Sequence, residues 1–341
     1  MKNVHLVIAD LFLPQDIAAE VIAGLHLPAL EGMLSRGRGM VGPAHALESH
    51  LLSLFGLPEQ GAVAAWGASF DGLPAAAPDA VWLRADPAYV QLQRERMVLL
   101  PNPDIDSAEA AQLAGGLNDY FSGLGMTFFA PHPQRWYLQV ERLPDIRTTP
   151  LSLALGRDMR ELLPQGNEAQ RWHRLCNEVQ MFLFDHPVNQ AREACGKLPI
   201  NSLWFWGEGR AVGQPQKNYA RVCSDEVLAA MLAAAAEIPF AGWATQWHTP
   251  DDGVDGQTQL LWWRGLRTVL QQGDLNAWRN ALENFEAAYA QPLWQALCRG
   301  EIGQLRMDIL GSDGMRCVQL KRGDTWAIWR RRKRLSAYSM V

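Results

Sequence analysis

Several things are scarce in this sequence, and each shortage excludes something. The five cysteines, Cys176, Cys195, Cys223, Cys298 and Cys317, make no C-x-x-C pair and no tight cluster. An odd, scattered set fits reduced thiols better than a disulfide framework or a zinc site. Long apolar runs are missing: the stretch from Val227 to Ala236 is about half of the roughly 20 residues that span a bilayer. The opening run MKNVHLVIAD stops at Asp10, too short for the apolar core of a signal peptide. A cytoplasmic protein with no membrane contact is therefore expected. Positive charge is also in deficit. Lys and Arg number 31 against 36 Asp and Glu, a net charge of -5, which argues against bulk attraction to nucleic acid. His132, His173 and His248 have no metal-ligand spacing and read as core or surface residues.

What is present describes a globular chain. At 341 residues, with 48% apolar side chains and 20% charged ones, it is long enough for about two domains. Fourteen tryptophans imply extensive aromatic packing or a binding face. VHLVIAD reads as a buried first strand ending in a carboxylate; ligands sit at such tips in parallel sheets, although Asp10 could equally start a loop or cap a helix. LPALEGMLSRGRGMV predicts a helix closed by Gly37 and Gly39, then a strand from near Met40. ALESHLLSLFGLP predicts a helix stopped at Gly56, and DAVWLRADP a strand running into a Pro-containing loop.

From Asp104 the texture changes. DIDSAEAAQLAGGLNDYF predicts a helix capped by Ser107, and MTFFAPHPQRWYLQV a Pro-rich turn before an alternating strand. EAQRWHRLCNEVQMFLFDHPVNQAREACG predicts a long helix interrupted or bent at Pro187 and stopped by Gly196. SLWFWGEG reads as a strand returning to the main sheet. Helix and strand patterns then alternate to the end, without repeats. The pattern predicts a split α/β core over residues 1-100 and 200-341, with an inserted α+β lobe over 101-199.

The stretch HPVNQAREACGKLPINSLWFWGEGR, residues 186 to 210, carries a resemblance. His186, Pro187, Val188, Asn189, Arg192, Gly196, Lys197, Asn201, Trp204, Trp206, Gly207 and Gly209 resemble the middle segment of archaeal-type cofactor-independent phosphoglycerate mutases. That family lies in the alkaline phosphatase-like superfamily. The likeness covers roughly residues 115 to 210 well and is faint elsewhere. It implies an alkaline phosphatase-like sheet core with helices on both faces, and a site beside the substrate at the junction of two lobes. It also implies a serine nucleophile just before the HLLSLFG helix and two divalent ions. Here Leu47 stands at the serine position, and a leucine has no lone pair to accept a phosphoryl group. Late histidines are missing as well: MDILGSDGMR offers Asp308 and Asp313 alone. No cofactor is expected, and Asp10 with Asp313 would hold one divalent ion weakly. Over its full length the chain is similar to RpfE-type bacterial regulatory proteins, on RADPAYV, APHPQRWYLQ, HPVNQAR, NSLWFWGEG and WAIWRRRKRL. That likeness implies a regulatory role and no established chemistry.

The residues themselves leave two readings for each candidate. Asn189 and Arg192 suit a phosphate or carboxylate, or else Asn189 caps the bend after Pro187 while Arg192 pairs with Glu193 or Asp185. Asn201, Trp206 and Arg210 would complete an anion pocket, with Gly207 and Gly209 allowing a close backbone approach, or Trp204 and Trp206 are packing residues. The run Arg330, Arg331, Arg332, Lys333 and Arg334, beside Trp326 and Trp329, would contact phosphates of a nucleic acid or form a solvated tail. The function expected is a catalytically degenerate mutase relative, regulatory or partner-binding, responsive to a small phosphorylated metabolite. The alternatives are a divergent metal-dependent phosphohydrolase or phosphomutase using Asp10, and nucleic-acid binding through the basic run.

Overall fold

The computed structural model describes residues 2–59, 61–73, 80–100, 104–249, 256–311, 314–327 and 329–338. Asp313 lies outside these residues. The strands are β1 (Lys2–Ala9), β2 (Arg38–Gly42), β3 (Val81–Gln93), β4 (Arg96–Leu100), β5 (Met126–His132) and β6 (Arg135–Val140). They continue with β7 (Ser202–Gly209), β8 (Arg221–Ser224), β9 (Phe240–Gly242), β10 (Thr258–Trp263), β11 (Ile302–Leu310) and β12 (Met315–Lys321). The helices are α1 (Gln15–Ile22), α2 (Pro28–Arg36), α3 (Leu47–Leu54), α4 (Val63–Phe70), α5 (Ser107–Tyr120) and α6 (Leu151–Ala154). After them come α7 (Ala169–Phe184), α8 (Pro187–Ala194), α9 (Val227–Ala235), α10 (Gly265–Gln271), α11 (Leu275–Phe285) and α12 (Gln291–Arg299). None of the described helices is long and apolar enough to cross a membrane.

Two compact units emerge, Met1–Phe55 with Pro215–Val341, and Gly56–Gln214. The expected boundaries, 1-100 and 200-341 around 101-199, therefore shift. The first unit holds a seven-stranded sheet in the order β2-β12-β11-β1-β10-β8-β9. Strands β11, β1, β10, β8 and β9 run parallel; β12 pairs antiparallel with β11, and β2 antiparallel with β12, so β12 is the reversed strand. β1 is central and covered on both faces, which is why VHLVIA is nearly all apolar. Val4, Leu6 and Ile8 face one way, into a core with Leu30 and Met33 of α2, Trp278 and Leu282 of α11 and Leu293 of α12. His5 and Val7 face the other way, where α3 brings His50 against β11.

The second unit contains the sheet β4-β3-β6-β5, with β7 paired to β3. Here SLWFWGEG pairs with RADPA rather than returning to the sheet of β1, because β3 presents it an open edge. Strand β3 also continues through Pro87, where a loop was expected. It pairs with β6 over Val81 to Arg84 and with β4 over Tyr89 to Gln93. Pro87 lies after the β6 ladder and before the β4 ladder, and there it is paired with Leu203 of β7. Helix α5 is capped by Asp106, one residue before the expected Ser107. The Asp106 carboxylate accepts from the Ala108 and Glu109 amides, and Glu109 returns a bond to the Asp106 amide. At Pro187 the long helix is broken in two, and the His186 ring accepts the Val188 amide as the cap of α8.

Candidate functional site

At the C-terminal end of β1, Asp10 adopts φ of +55°, a left-handed conformation that Asp tolerates better than most residues. Its amide donates to the Leu310 carbonyl at 2.7 Å, and its carbonyl accepts from Trp278 Nε1 at 3.2 Å. The carboxylate is gripped by Arg267 of α10. Arg267 Nε donates to Oδ2 at 2.5 Å and Nη2 to Oδ1 at 3.0 Å, a two-pronged pair that occupies both oxygens. Arg267 Nη1 is buried and has no hydrogen-bond partner. Leu47 opens α3 and is buried, so the first position of that helix offers no side-chain hydroxyl; the nearest one belongs to Ser49, two residues on and half-buried.

One turn further on, His50 joins a buried polar cluster that the sequence reading missed. Asp308, with no exposed surface, accepts from His5 Nε2 at 2.8 Å and from Arg306 Nε and Nη2 at 3.0 and 2.8 Å. His50 Nε2 lies 3.3 Å from the same Oδ2, without hydrogen-bond alignment. His5 Nδ1 is 2.9 Å from the Tyr219 hydroxyl, so both ring nitrogens have a partner. Burial lowers the proton affinity of His5 below the usual imidazole value, against the pull of Asp308. Burial also pushes the Asp308 carboxyl up, but hydrogen bonds from His5 and Arg306, with His50 close by, outweigh it and hold the group far below the carboxylate range. The neighbouring Cys317 thiol is pushed up to about 11, by burial first and by Asp308 second, so it stays protonated and unreactive.

A shared ion would separate ligand atoms, since metal–ligand bonds run about 2.0–2.2 Å. With His5 in direct contact with Asp308, and Arg306 supplying positive charge, the cluster is closed on itself. Among the described residues no group of three or more His, Cys, Asp or Glu side chains is set to hold an ion.

The second unit contains most of the expected anion-binding residues, each tied to the chain. Asn189 Nδ2 donates to the Leu183 and Ile200 carbonyls, both at 2.7 Å, and its Oδ1 accepts the Ile200 amide at 2.8 Å. Arg192, 2% exposed, pairs with Glu109 at 2.6 Å and donates Nε to the Leu198 carbonyl at 2.9 Å. Its partner is thus Glu109 of α5, neither Glu193 nor Asp185. An anion at Arg192 would have to displace that carboxylate. Asn201 clamps the amide and carbonyl of Val90 at 2.7 and 2.9 Å. Trp206 Nε1 donates to Asp86 at 2.7 Å, while Arg84 sits between the Tyr137 and Trp206 rings at 5.1 and 5.4 Å and also binds Asp86. Gly207 has φ of +67° and Gly209 of +144°; a Cβ at Gly209 would lie 2.7 Å from that of Ala62, which accounts for both glycines. Arg210 is exposed.

Several signals for the missed residues stand in the sequence. His5 is the one polar residue inside an otherwise apolar strand, and such a residue needs a buried partner. Arg84 and Asp86, two apart on β3, share a face.

The parallel five-strand run with helices on both faces, interrupted in sequence by the 56–214 unit, is the alkaline phosphatase-like α/β arrangement. The PH0037 protein from Pyrococcus horikoshii has the same fold, at 12% identity and a TM-score of 0.57 over 94% of this chain and 87% of that one. Within this class, residues 60–189 match the family of 2,3-bisphosphoglycerate-independent phosphoglycerate mutase. The enzyme of that name from Methanothrix thermoacetophila is 27% identical over 139 residues, 41% of this chain and 35% of that protein. The probable enzyme from Geobacter sulfurreducens is 43% identical over 56 residues, 16% of this chain and 14% of that protein. The chain is thus related to this mutase family through a segment that spans about a third or less of those relatives' length.

Proposed function

We propose that this chain is a mutase relative that has given up phosphoryl transfer and acts as a regulatory protein responsive to small phosphorylated anions. The Arg267 fork on Asp10 carries the reading. A guanidinium placed on a strand-tip carboxylate supplies, from within the chain, the charge that a divalent ion would bring. With both Asp10 oxygens and the Asp308 carboxylate committed, the residues present do not fit a pair of ions. Leu47 removes the attacking oxygen. The likeness to RpfE-type bacterial regulatory proteins supports the same reading.

Anion response follows from the remaining donor. Ligands bind at the carboxyl ends of strands in such sheets, and Arg267 Nη1 is held there without a partner. Nη1 is buried, so a phosphate oxygen reaches it only as the side chains covering it part, while the pair with Asp10 stays in place. Thermal melts with 3-phosphoglycerate or inorganic phosphate test this. Saturation to about 100 times Kd should stabilise the protein by about 2.7 kcal/mol. Arg267→Lys keeps a charge on Asp10, lacks the spare donor and should lose the response. Manganese- or zinc-dependent phosphatase or mutase turnover, abolished by Asp10→Asn, would instead establish the enzyme reading.

A further inference from the structure

We propose that the C-terminal strap is a docking surface for single-stranded nucleic acid, with Trp326 and Trp329 stacking on bases and Arg331, Lys333 and Arg334 meeting phosphates. Two observations point there together. First, the strap is held in place rather than trailing free. Arg330 Nη1 donates to the Arg36 carbonyl at 2.6 Å, and the Lys333 amide to Ser35 Oγ at 2.9 Å. The Leu335 amide donates to Glu31 Oε1 at 3.1 Å, and the fully buried Leu335 side chain anchors the segment in the core. Second, the groups not used in this attachment are those a polyanion needs. Trp326 and Trp329 are 70% and 76% exposed, two open indoles three residues apart. Arg331, Lys333 and Arg334 are exposed and make no ion pair with a carboxylate among the described residues.

The chemistry selects the partner. Cations this dense on a chain of net charge -5 concentrate the positive potential at one place. A base exposed in a single strand can stack on an open indole, whereas a paired base in a duplex cannot, and each stacked base adds affinity independently of sequence. A membrane surface fits less well, because interfacial binding needs a broad apolar face. Here Thr325 and Ala327, the neighbours of Trp326, are turned inward.

Fluorescence anisotropy of the full chain with a labelled 20-nucleotide single strand tests the proposal. Three phosphate contacts predict a salt slope of about -2, so affinity should fall about twentyfold between 50 and 200 mM salt. Arg331→Glu with Arg334→Glu should abolish binding. Trp326→Ala with Trp329→Ala should weaken it roughly tenfold or more and leave the salt slope unchanged. All four positions are exposed, and unchanged circular dichroism melts confirm that the variants fold. The absence of binding at 50 mM salt overturns the proposal. So does binding that both variants retain, a duplex held as tightly as the single strand, or capture by phosphatidylserine vesicles without capture of the oligonucleotide.

Discussion

Both units bury a charged cluster, and the two are built from different chemistry. In the 1–55 and 215–341 unit, Asp308 is surrounded by two histidines and an arginine, with Tyr219 behind. In the 56–214 unit, Asp86 and Asp71 are met by Arg84, Arg135, Tyr137 and Trp206. Only the first contains groups whose unperturbed protonation changes near neutrality. The difference teaches that two buried carboxylates can both be gripped by arginine and still differ in which partners titrate near neutrality. The cluster without a histidine on its carboxylates lies in the unit that matches the mutase family.

The largest effect should come from Asp308→Ala. It strands His5, His50 and Arg306 without their common acceptor, and urea denaturation should report a loss near the top of about 3–5 kcal/mol. Asp86→Ala leaves Arg84 and Trp206 unpaired in the other unit and should cost about 3 kcal/mol by the same measurement. Equal losses would erase the asymmetry drawn here. Hydrogen exchange can assign each loss to its unit, because the two need not unfold together.

Acid provides the next test. Because burial lowers the affinity of folded His5 for a proton, the unfolded chain binds one more proton as pH falls through about 6.5, and stability is lost toward acid. Asp308 has the same sign at lower pH: its contribution is present above about 3.9 and fades as pH falls toward its depressed folded value. Asp225, pushed up to about 6 mainly by burial, opposes them, since its raised value costs stability as pH rises from about 4 to 6. The informative quantity is therefore the melting shift between pH 7.5 and 5.5 in the wild type minus that in His5→Gln. It should be positive, a greater acid loss in the wild type, and a difference of zero would remove His5 from the argument. The smallest effect is Asp106→Ala, loss of one helix cap, at about 1 kcal/mol and without pH dependence in that window.

Local patterns made much of the fold legible. β1, α2, α3 and α5 stand where periodicity and glycine stops put them, because those signals act within one turn or one strand. Choices of partner were not legible. Pro87 reads as a break until the gap between the β6 and β4 ladders is known, and SLWFWGEG says nothing about which sheet it joins. The polar clusters were hidden for the same reason: His5 and Asp308 are 303 residues apart, and no window connects them. Asn189, Arg192 and Asn201 were visible as polar anchors, but their acceptors on Ile200, Glu109 and Val90 depend on the folded neighbourhood.

If phosphoryl transfer has been given up as proposed, the Arg267 fork on Asp10 makes that loss hard to undo. On that reading, introducing a serine at position 47 alone provides an attacking group with nothing to steady the charge it creates. Removing Arg267 alone leaves Asp10 bare in a crowded, left-handed turn. Under the proposed function, any route to turnover crosses one of these weakened intermediates, so the ion pair would act as a ratchet.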